Sequence, residues 1–523
     1  MKTSIKIFKY CFSLAALVLL FTGCKKYLDR RPLTAILSDY GSVLDVQALS
    51  MYKIVYTYGG FNALPWLCFN SFRDDDAQKG STGSDQAQWT GIFDNYAYAK
   101  DESATNAFWG DHYNVINKAN DLLYTADSLK LTDVASLKNI GEAYFFRAFC
   151  YFDLVKAYGQ VPKIDFHYTV ASDGIKPKST EMEIYALIDK DLDSAARLLP
   201  VTWGNSTTGQ NPFPGRLTSG AAKALWAQTY LFRQNWSKVL AITNEIINSG
   251  EYSLLPNYTD IWKDGVNGVG KNSKESIFEF QALLSASRTD ATSNTSFWGV
   301  TQNLRSGGAG PEWNLGWGFN IPTDKLVTEW SDTDPRKAAT ILFSGQYDGG
   351  TANGGYGASL PPYNPGVALD QKYWNKKVYS DPAMRAYTGT TTWGYPAWIN
   401  HRVIRYADII LMKAEAANEL GDGVTAAAML ELIRNRASRN LGIGRTIVPY
   451  IAYTSQDQMR SAIKNERRWE FAMEGKRFYD LVRWGDAVSV LGPLGYTHRC
   501  RYYPIPQQVI DLSGGVIVQN PEW

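Results

Sequence analysis

Apolar positions along this chain fall into three pairs of helical stripes, and a long stretch without helical periodicity interrupts them. Within residues 137–158, Tyr144, Ala148, Tyr151, Val155 and Tyr158 recur at helical spacing, and Phe145, Phe149 and Phe152 form a second stripe beside them. A helix apolar around so much of its circumference must be buried. Gly159 and Pro162 end it, and a second helix is predicted over residues 181–199, capped by Ser179 or Thr180 and closed by Pro200. Ser219 is the expected N-cap of the next helix, which carries Ala221, Ala222, Leu225, Trp226, Thr229 and Tyr230 and runs to about Arg233. Residues 236–248 are its partner, stopped by Gly250. The third pair covers residues 402–420, turns at Gly421, Asp422 and Gly423, and returns through Ala426 to Arg439. Hairpins of roughly 34 residues with Ala at the helix crossings have the dimensions of tetratricopeptide units, which stack so that each covers its neighbour's apolar face. An unrelated bundle is the alternative that these spacings leave. A further helix is expected around Trp109, Tyr113, Ile116 and Leu123.

Residues 265–398 change character to Gly, Asn, Pro, Ser and Trp, so helix is not expected over most of them. Ordinary linkers lack aromatics, but this stretch holds Trp298, Trp313, Trp317, Trp330, Trp374, Trp393 and Trp398. Such long loops tend to be functional when ordered. About two thirds of these seven rings are expected to be packing residues, because a buried Trp is usually core. The remainder would offer flat apolar faces on which a sugar ring can stack, with Arg, Asn or Asp reading hydroxyls at the edge. Residues 70–106 form a shorter region of the same kind, with Arg73, Asp74, Asp75, Asp76, Trp89 and Tyr96.

The amino terminus gives an address. Lys2, Lys6 and Lys9 precede an apolar run over residues 11–21, too short to span a bilayer but the length of a secretory h-region. Gly23 directly precedes Cys24, the pattern of a bacterial lipoprotein cleavage site, although bulky Phe21 makes it irregular. Cys24 is therefore the expected lipidation site, and several acyl chains anchor stably because each buried methylene contributes about 0.8 kcal/mol. Processing leaves about 500 residues, enough for a sizeable core. Loss of the three lysines moves the formal charge from +2 to −1, so no global field favours nucleic acid. Cys68, Cys150 and Cys500 leave room for one disulfide at most, and Cys150 reads as a small buried hydrophobe. Aromatic residues make up 14% of the chain, with 17 Trp and 32 Tyr, a composition suited to wet interfaces and sugar stacking.

The densest charged block is residues 463–484, where Glu466, Glu470 and Glu474 recur every four residues with Arg467, Arg468, Arg477 and Arg483 close by. Structural ion pairing is the expectation. The block has no His for a di-metal site, and Arg neighbours lower carboxylate pKa values, which opposes a glycosidase acid. HExxH, GxSxG and a phosphate-binding loop ending in Lys-Ser/Thr are all missing, so no enzyme is expected. Asp74, Asp75, Asp76 and Asp85 could offer oxygens to calcium, but the EF-hand spacing is missing. A solvated acidic loop is the expectation there, and no cofactor is called for.

Taken in order, residues 24–29 with Pro32, 143–148 leading to 158–162, 215–222, 274–279, 405–415, 466–484, 504–506 and 519–521 resemble the SusD/RagB family of outer-membrane lipoproteins. The resemblance covers almost the whole mature chain. It implies a predominantly all-α fold, with tetratricopeptide-like hairpins in a right-handed superhelix, a loop-rich aromatic insertion and few short strands. The implied organisation is a signal over residues 1–23, a lipid-anchored leash over 24–32, an N-terminal helical region over 33–264, the insertion over 265–400 and a C-terminal helical region over 401–523. It also implies a cell-surface protein tethered to the outer membrane that captures a glycan without catalysis and lies over a SusC-like TonB-dependent transporter, its hairpins facing that partner. Ligand residues carry over by location only: Arg73 and Trp89 in the first loop, and Trp298, Trp313, Trp317 and Trp393 in the insertion. A peptide-capturing member, a surface glycoside hydrolase and a transporter lid without a ligand of its own remain the alternatives.

Overall fold

The computed structural model describes residues 42–56, 59–203, 213–264, 268–282, 297–305, 311–367, 369–382 and 398–523. Cys24 and Trp393 lie outside them. Helices α1 (Asp45–Tyr56) and α2 (Leu64–Asn70) lead into strand β1 (Ala77–Gly80). Two long helices follow, α3 (Ser103–Ser128), capped by the Glu102 side chain, and α4 (Val134–Tyr158), capped by Asp133. The short strands β2 (Val161–Pro162) and β3 (Lys178–Ser179) pair across the connection to α5 (Glu181–Leu198). Thr180 caps α5 in a full capping box with Glu183, which satisfies two otherwise orphaned N–H groups. Helices α6 (Ser219–Phe232) and α7 (Trp236–Asn248) form the next hairpin, and the cap of α6 is Thr218, one residue before the expected Ser219.

These helices stack in chain order: α3 packs on α4, α4 on α5, α5 on α6 and α6 on α7. Helix α4 is the spine. Phe145, Phe146, Phe149, Tyr151, Phe152 and Tyr158 are all buried, as the double stripe requires; each such ring contributes about 1.5–3 kcal/mol by leaving water. Arg147 on α4 makes a bidentate pair with Asp191 on α5 (2.7 Å for both bonds) and reaches Asn120 on α3 (2.8 Å), fixing the register of three helices.

Strand β4 (Ser276–Phe280) opens the insertion, which contains α8 (Phe297–Gln302), β5 (Phe319–Pro322), α9 (Asp324–Glu329), α10 (Pro335–Thr340), β6 (Ile341–Phe343) and β7 (Tyr373–Asn375). Strand β8 (His401–Arg405) closes it by pairing antiparallel with β4, Ser276 opposite Arg405 and Phe280 opposite His401. Residues 402–405, expected as the start of a helix, are therefore strand: their backbone groups are taken by β4, and α11 (Tyr406–Glu419) begins only beyond them. Helix α11 packs on α7, on α12 (Gly423–Ala437) and on α13 (Gln456–Phe471), so the stack continues across the insertion. Helices α14 (Arg477–Trp484), α15 (Ala487–Leu491) and α16 (Gln507–Leu512) complete the chain. The described chain is mostly helical with four two-stranded sheets, in line with the all-α expectation. Cys68, Cys150 and Cys500 are buried free thiols.

The glutamate block is a buried ion-pair network, but its partners are not the arginines adjacent in sequence. Arg405 bonds Glu474 through two nitrogens (2.8 and 2.9 Å), Glu275 (2.7 Å) and Glu470 (3.1 Å). Arg436 reaches Glu275 and Glu470, Arg336 reaches Glu466 and Glu470, and Lys377 reaches Glu474. Burial pushes the Glu470 carboxyl up, yet Arg436, Arg405 and Arg336 together hold it down to about 2. Arg467, Arg468, Arg477 and Arg483 turn elsewhere, to Asp408 and Asp480, Asp76 and Glu329, Asp75, and Glu415 respectively. The helix ends at Phe471, so Glu474 reaches the network from a turn whose Gly475 has φ +68° and no room for a Cβ beside Trp66.

Candidate functional site

The two loop regions singled out in the sequence meet in space. Strand β1 pairs antiparallel with β5, Ala77 opposite Pro322 and Gly80 opposite Phe319. Gly80 is required at this seam, because at its φ of +69° a Cβ would stand 2.6 Å from the Gly318 carbonyl oxygen. The acid run that precedes β1 is buried rather than solvated. Asp74 accepts the N–H groups of Asp76 and Ala77 (2.8 Å each), Asp75 pairs with Arg477 (2.9 Å) and Lys325 (2.7 Å), and Asp76 pairs with Arg468 (2.6 Å). These carboxylates lock the seam to α9, α13 and α14, their oxygens held by guanidinium, ammonium and backbone donors.

Beside the seam opens a cleft of about 700 Å³, within the size range of small-molecule sites. Its floor is the end of β5 and the start of α9, and its far wall is Val490, Pro493 and Leu494. Tyr363, 41% exposed, and half-buried Tyr373 supply ring faces; Tyr373 is steadied by the edge contact of its ring with Phe343 at 5.5 Å. Polar groups converge between them. Lys372 pairs with Asp324 (2.9 Å), Lys325 with Asp75, and Gln78 and Gln371 present amides. Hydrogen bonding to Lys372 holds the Asp324 carboxyl below its ordinary pKa, and Asp324 raises that of the Lys372 ammonium in return.

Gln371 links the cleft to a neighbouring polar cluster. Gln371 donates to the Ser81 carbonyl (3.0 Å), the Ser81 hydroxyl donates to Asp85 (2.8 Å), and Arg305 pairs with Asp85 (2.8 Å). Desolvation is the largest single influence on the Asp85 carboxyl and raises it, but Ser81, Thr82 and Arg305 together outweigh it and hold the pKa below the usual value. Trp313 lies half-buried next to Asn314, which bridges Arg305, and its ring packs on a cluster containing Leu304, Ile321 and Trp374.

The expected ligand residues divide on burial. Arg73 is fully buried, its guanidinium 3.8 Å above the Phe478 ring and 5.2 Å from that of Tyr98, so it is a core cation and not a ligand contact. Trp89 is 2% exposed and donates its indole N–H to Glu102 (2.6 Å), the residue that caps α3. Trp298 is also buried, stacked on His401 at 3.7 Å. Trp89, against Phe319, and Trp298, against Trp66 and His401, are covered where insertion meets scaffold, whereas Arg73 is enclosed by Tyr98, Phe478 and Tyr503 of the scaffold itself. Trp330, Trp374 and Trp398 are core as well, whereas Trp313 and Trp317 keep partial exposure. Tyr363, Tyr373, Gln78, Gln371, Asp324 and Lys372 escaped the sequence reading. The signal at Tyr363 is its setting between Pro361, Pro362, Asn364 and Pro365, where an aromatic ring has no periodic element to bury it. Among the described residues no group of His, Cys, Asp and Glu is placed to hold a metal ion, and no helix is long and apolar enough to cross a membrane.

Fold and cleft define a helical-repeat scaffold whose inserted aromatic subdomain bears a surface cleft. The model of the SusD family matches residues 274–499, and a second model, described as starch-binding and associating with the outer membrane, matches residues 26–231. The chain belongs to the SusD family. SusD-like protein P2 of Formosa agariphila is 27% identical over 98% of each chain, and SusD-like protein P38 of the same organism is 28% identical over 75% of each. A laminarin-binding SusD-like protein of known structure is 27% identical, with a TM-score of 0.70 over 92% of this chain and 98% of that one. A SusD homolog from Bacteroides thetaiotaomicron, 21% identical over 94% of this chain and 99% of its own, shares the fold with a TM-score of 0.73.

Proposed function

We propose that this protein is a cell-surface lipoprotein that captures an oligo- or polysaccharide in the cleft beside the β1–β5 seam and passes it to a SusC-like TonB-dependent transporter. The observation that carries the reading is the cleft itself: two tyrosine faces with converging amides and ion pairs, on the scaffold of a family whose 27%-identical relative is laminarin-binding. Catalysis is not part of it. A glycosidase needs one carboxyl with a raised pKa, whereas Asp324 is held below its ordinary value by Lys372, and Asp85 by the Ser81 and Thr82 hydroxyls together with Arg305. Titration with a polysaccharide panel that includes laminarin is expected to show binding without sugar release. Tyr363→Ala should weaken it about tenfold through loss of ring stacking while leaving stability within about 0.5 kcal/mol, since the side chain is exposed. Binding of peptides in place of every glycan would move the protein to the peptide-capturing reading.

The transporter reading is supported by the outer face of α12, where Val424 (81% exposed), Ala428 and Leu432 form an apolar stripe at four-residue spacing that no described element covers. Two variants separate docking from anchoring. Val424→Glu with Leu432→Glu should reduce co-purification with the transporter and keep the protein in the membrane fraction, and Cys24→Ser should release it from that fraction and abolish fatty-acid labelling. Unchanged co-purification would remove α12 from the interface, and label persisting in Cys24→Ser would remove the anchor.

A further inference from the structure

Two ion pairs line the cleft, Lys372 with Asp324 and Lys325 with Asp75, and a third, Arg305 with Asp85, is joined to it through Ser81 and Gln371. Their charges balance, and each cation already holds a carboxylate at 2.7–2.9 Å. A uronate or sulfate entering here must displace a carboxylate fixed to the scaffold or lie against Asp324, where like charge opposes it. A sugar hydroxyl meets a different surface. It donates and accepts at once, and an ion pair sets an acceptor oxygen directly beside a donor nitrogen, so adjacent hydroxyls of a neutral ring are both satisfied without breaking the pair.

We propose that the cleft selects neutral glycan chains, reading their hydroxyls through the Asp324–Lys372 pair, and discriminates against polyanionic ones. The inference rests on the glycan reading above and narrows its ligand class. Association with a neutral chain then has no long-range charge term for salt to screen. The test titrates the full chain with laminarin, soluble starch, dextran and mannan, each beside its carboxymethylated form, at low and high salt. At least one neutral chain is expected to bind with a Kd that salt does not move, and its carboxymethylated form should bind at least tenfold more weakly. Asp324→Asn leaves Lys372 without its carboxylate, so this variant should gain about fivefold for the carboxymethylated chain at low salt, and added salt should erase the gain. Equal or tighter binding of the carboxymethylated form by the unaltered protein overturns neutral selectivity and leaves glycan binding standing. Absence of the gain in Asp324→Asn overturns the role of the pair. If no chain binds in either form, glycan binding falls, and selectivity with it.

Discussion

Arg405→Ala is expected to destabilise the protein by about 3–5 kcal/mol, the usual cost of leaving buried charges without their partner. Arg405 is 1% exposed and serves Glu275, Glu470 and Glu474 at once, so its removal takes one cation from each of three buried carboxylates, which keep only Arg436, Arg336 and Lys377 between them. Chemical denaturation of the soluble, unanchored protein measures the loss, and Glu470→Gln, which keeps the shape and removes one charge, gives a folded comparison if Arg405→Ala fails to express. A loss below about 1 kcal/mol would show the network to be dispensable. The same network sets an acid limit. Glu470 in the folded state titrates at about 2, well below the 4.5 of an exposed glutamate, so the unfolded chain takes up the proton first. The stabilisation is therefore complete above about pH 4.5 and drains away as pH falls towards 2. Asp75 and Asp153, also held at about 2, add to the slope in the same direction. Asp94, pushed up to about 7 by burial, acts the other way, so the Glu470 contribution is read as the stability difference from Glu470→Gln, and a difference that stayed constant between pH 6 and 3 would contradict this.

Trp89→Ala and Trp298→Ala should each lose about 3–5 kcal/mol, the range for removing a buried large aromatic, with the Kd of the folded fraction unchanged. The first variant empties a site packed by Phe93 and Phe319 and removes a hydrogen bond to the cap of α3; the second removes the ring stacked on His401 and set edge-on against Trp66. Together with Tyr363→Ala they form a crossed test, stability without binding in the core rings and binding without stability in the cleft ring. A Trp89 or Trp298 variant that kept its stability and lost the ligand would return that ring to the site.

Period and punctuation carried the repeat half of the molecule. The double stripe of α4, the capping position at Thr180 and the ending at Gly159 are local facts, and a helix with two apolar faces has nowhere to go but the centre of a stack. The error at residues 402–405 is of the opposite kind: Arg402, Val403, Ile404 and Arg405 suit either state, and only the arrival of β4, more than 120 residues earlier in the chain, makes them a strand. Both aromatic loop regions border the cleft, but Arg73, Trp89 and Trp298 are buried, while Trp313 and Trp317 keep partial exposure.

The sequence by itself determined the helical hairpins, their order and the expectation of ion pairing in the glutamate block, because each depends on spacing within a few turns of chain. Only the tertiary structure decided which arginine meets which glutamate, that Asp74 to Asp76 are interior, and that Tyr363, Tyr373, Gln371 and the Asp324–Lys372 pair share one cleft. Those outcomes depend on long-range closure of β1 on β5 and β4 on β8. Burial and charge pairing across such a seam join residues that lie hundreds of positions apart, and no local period records them.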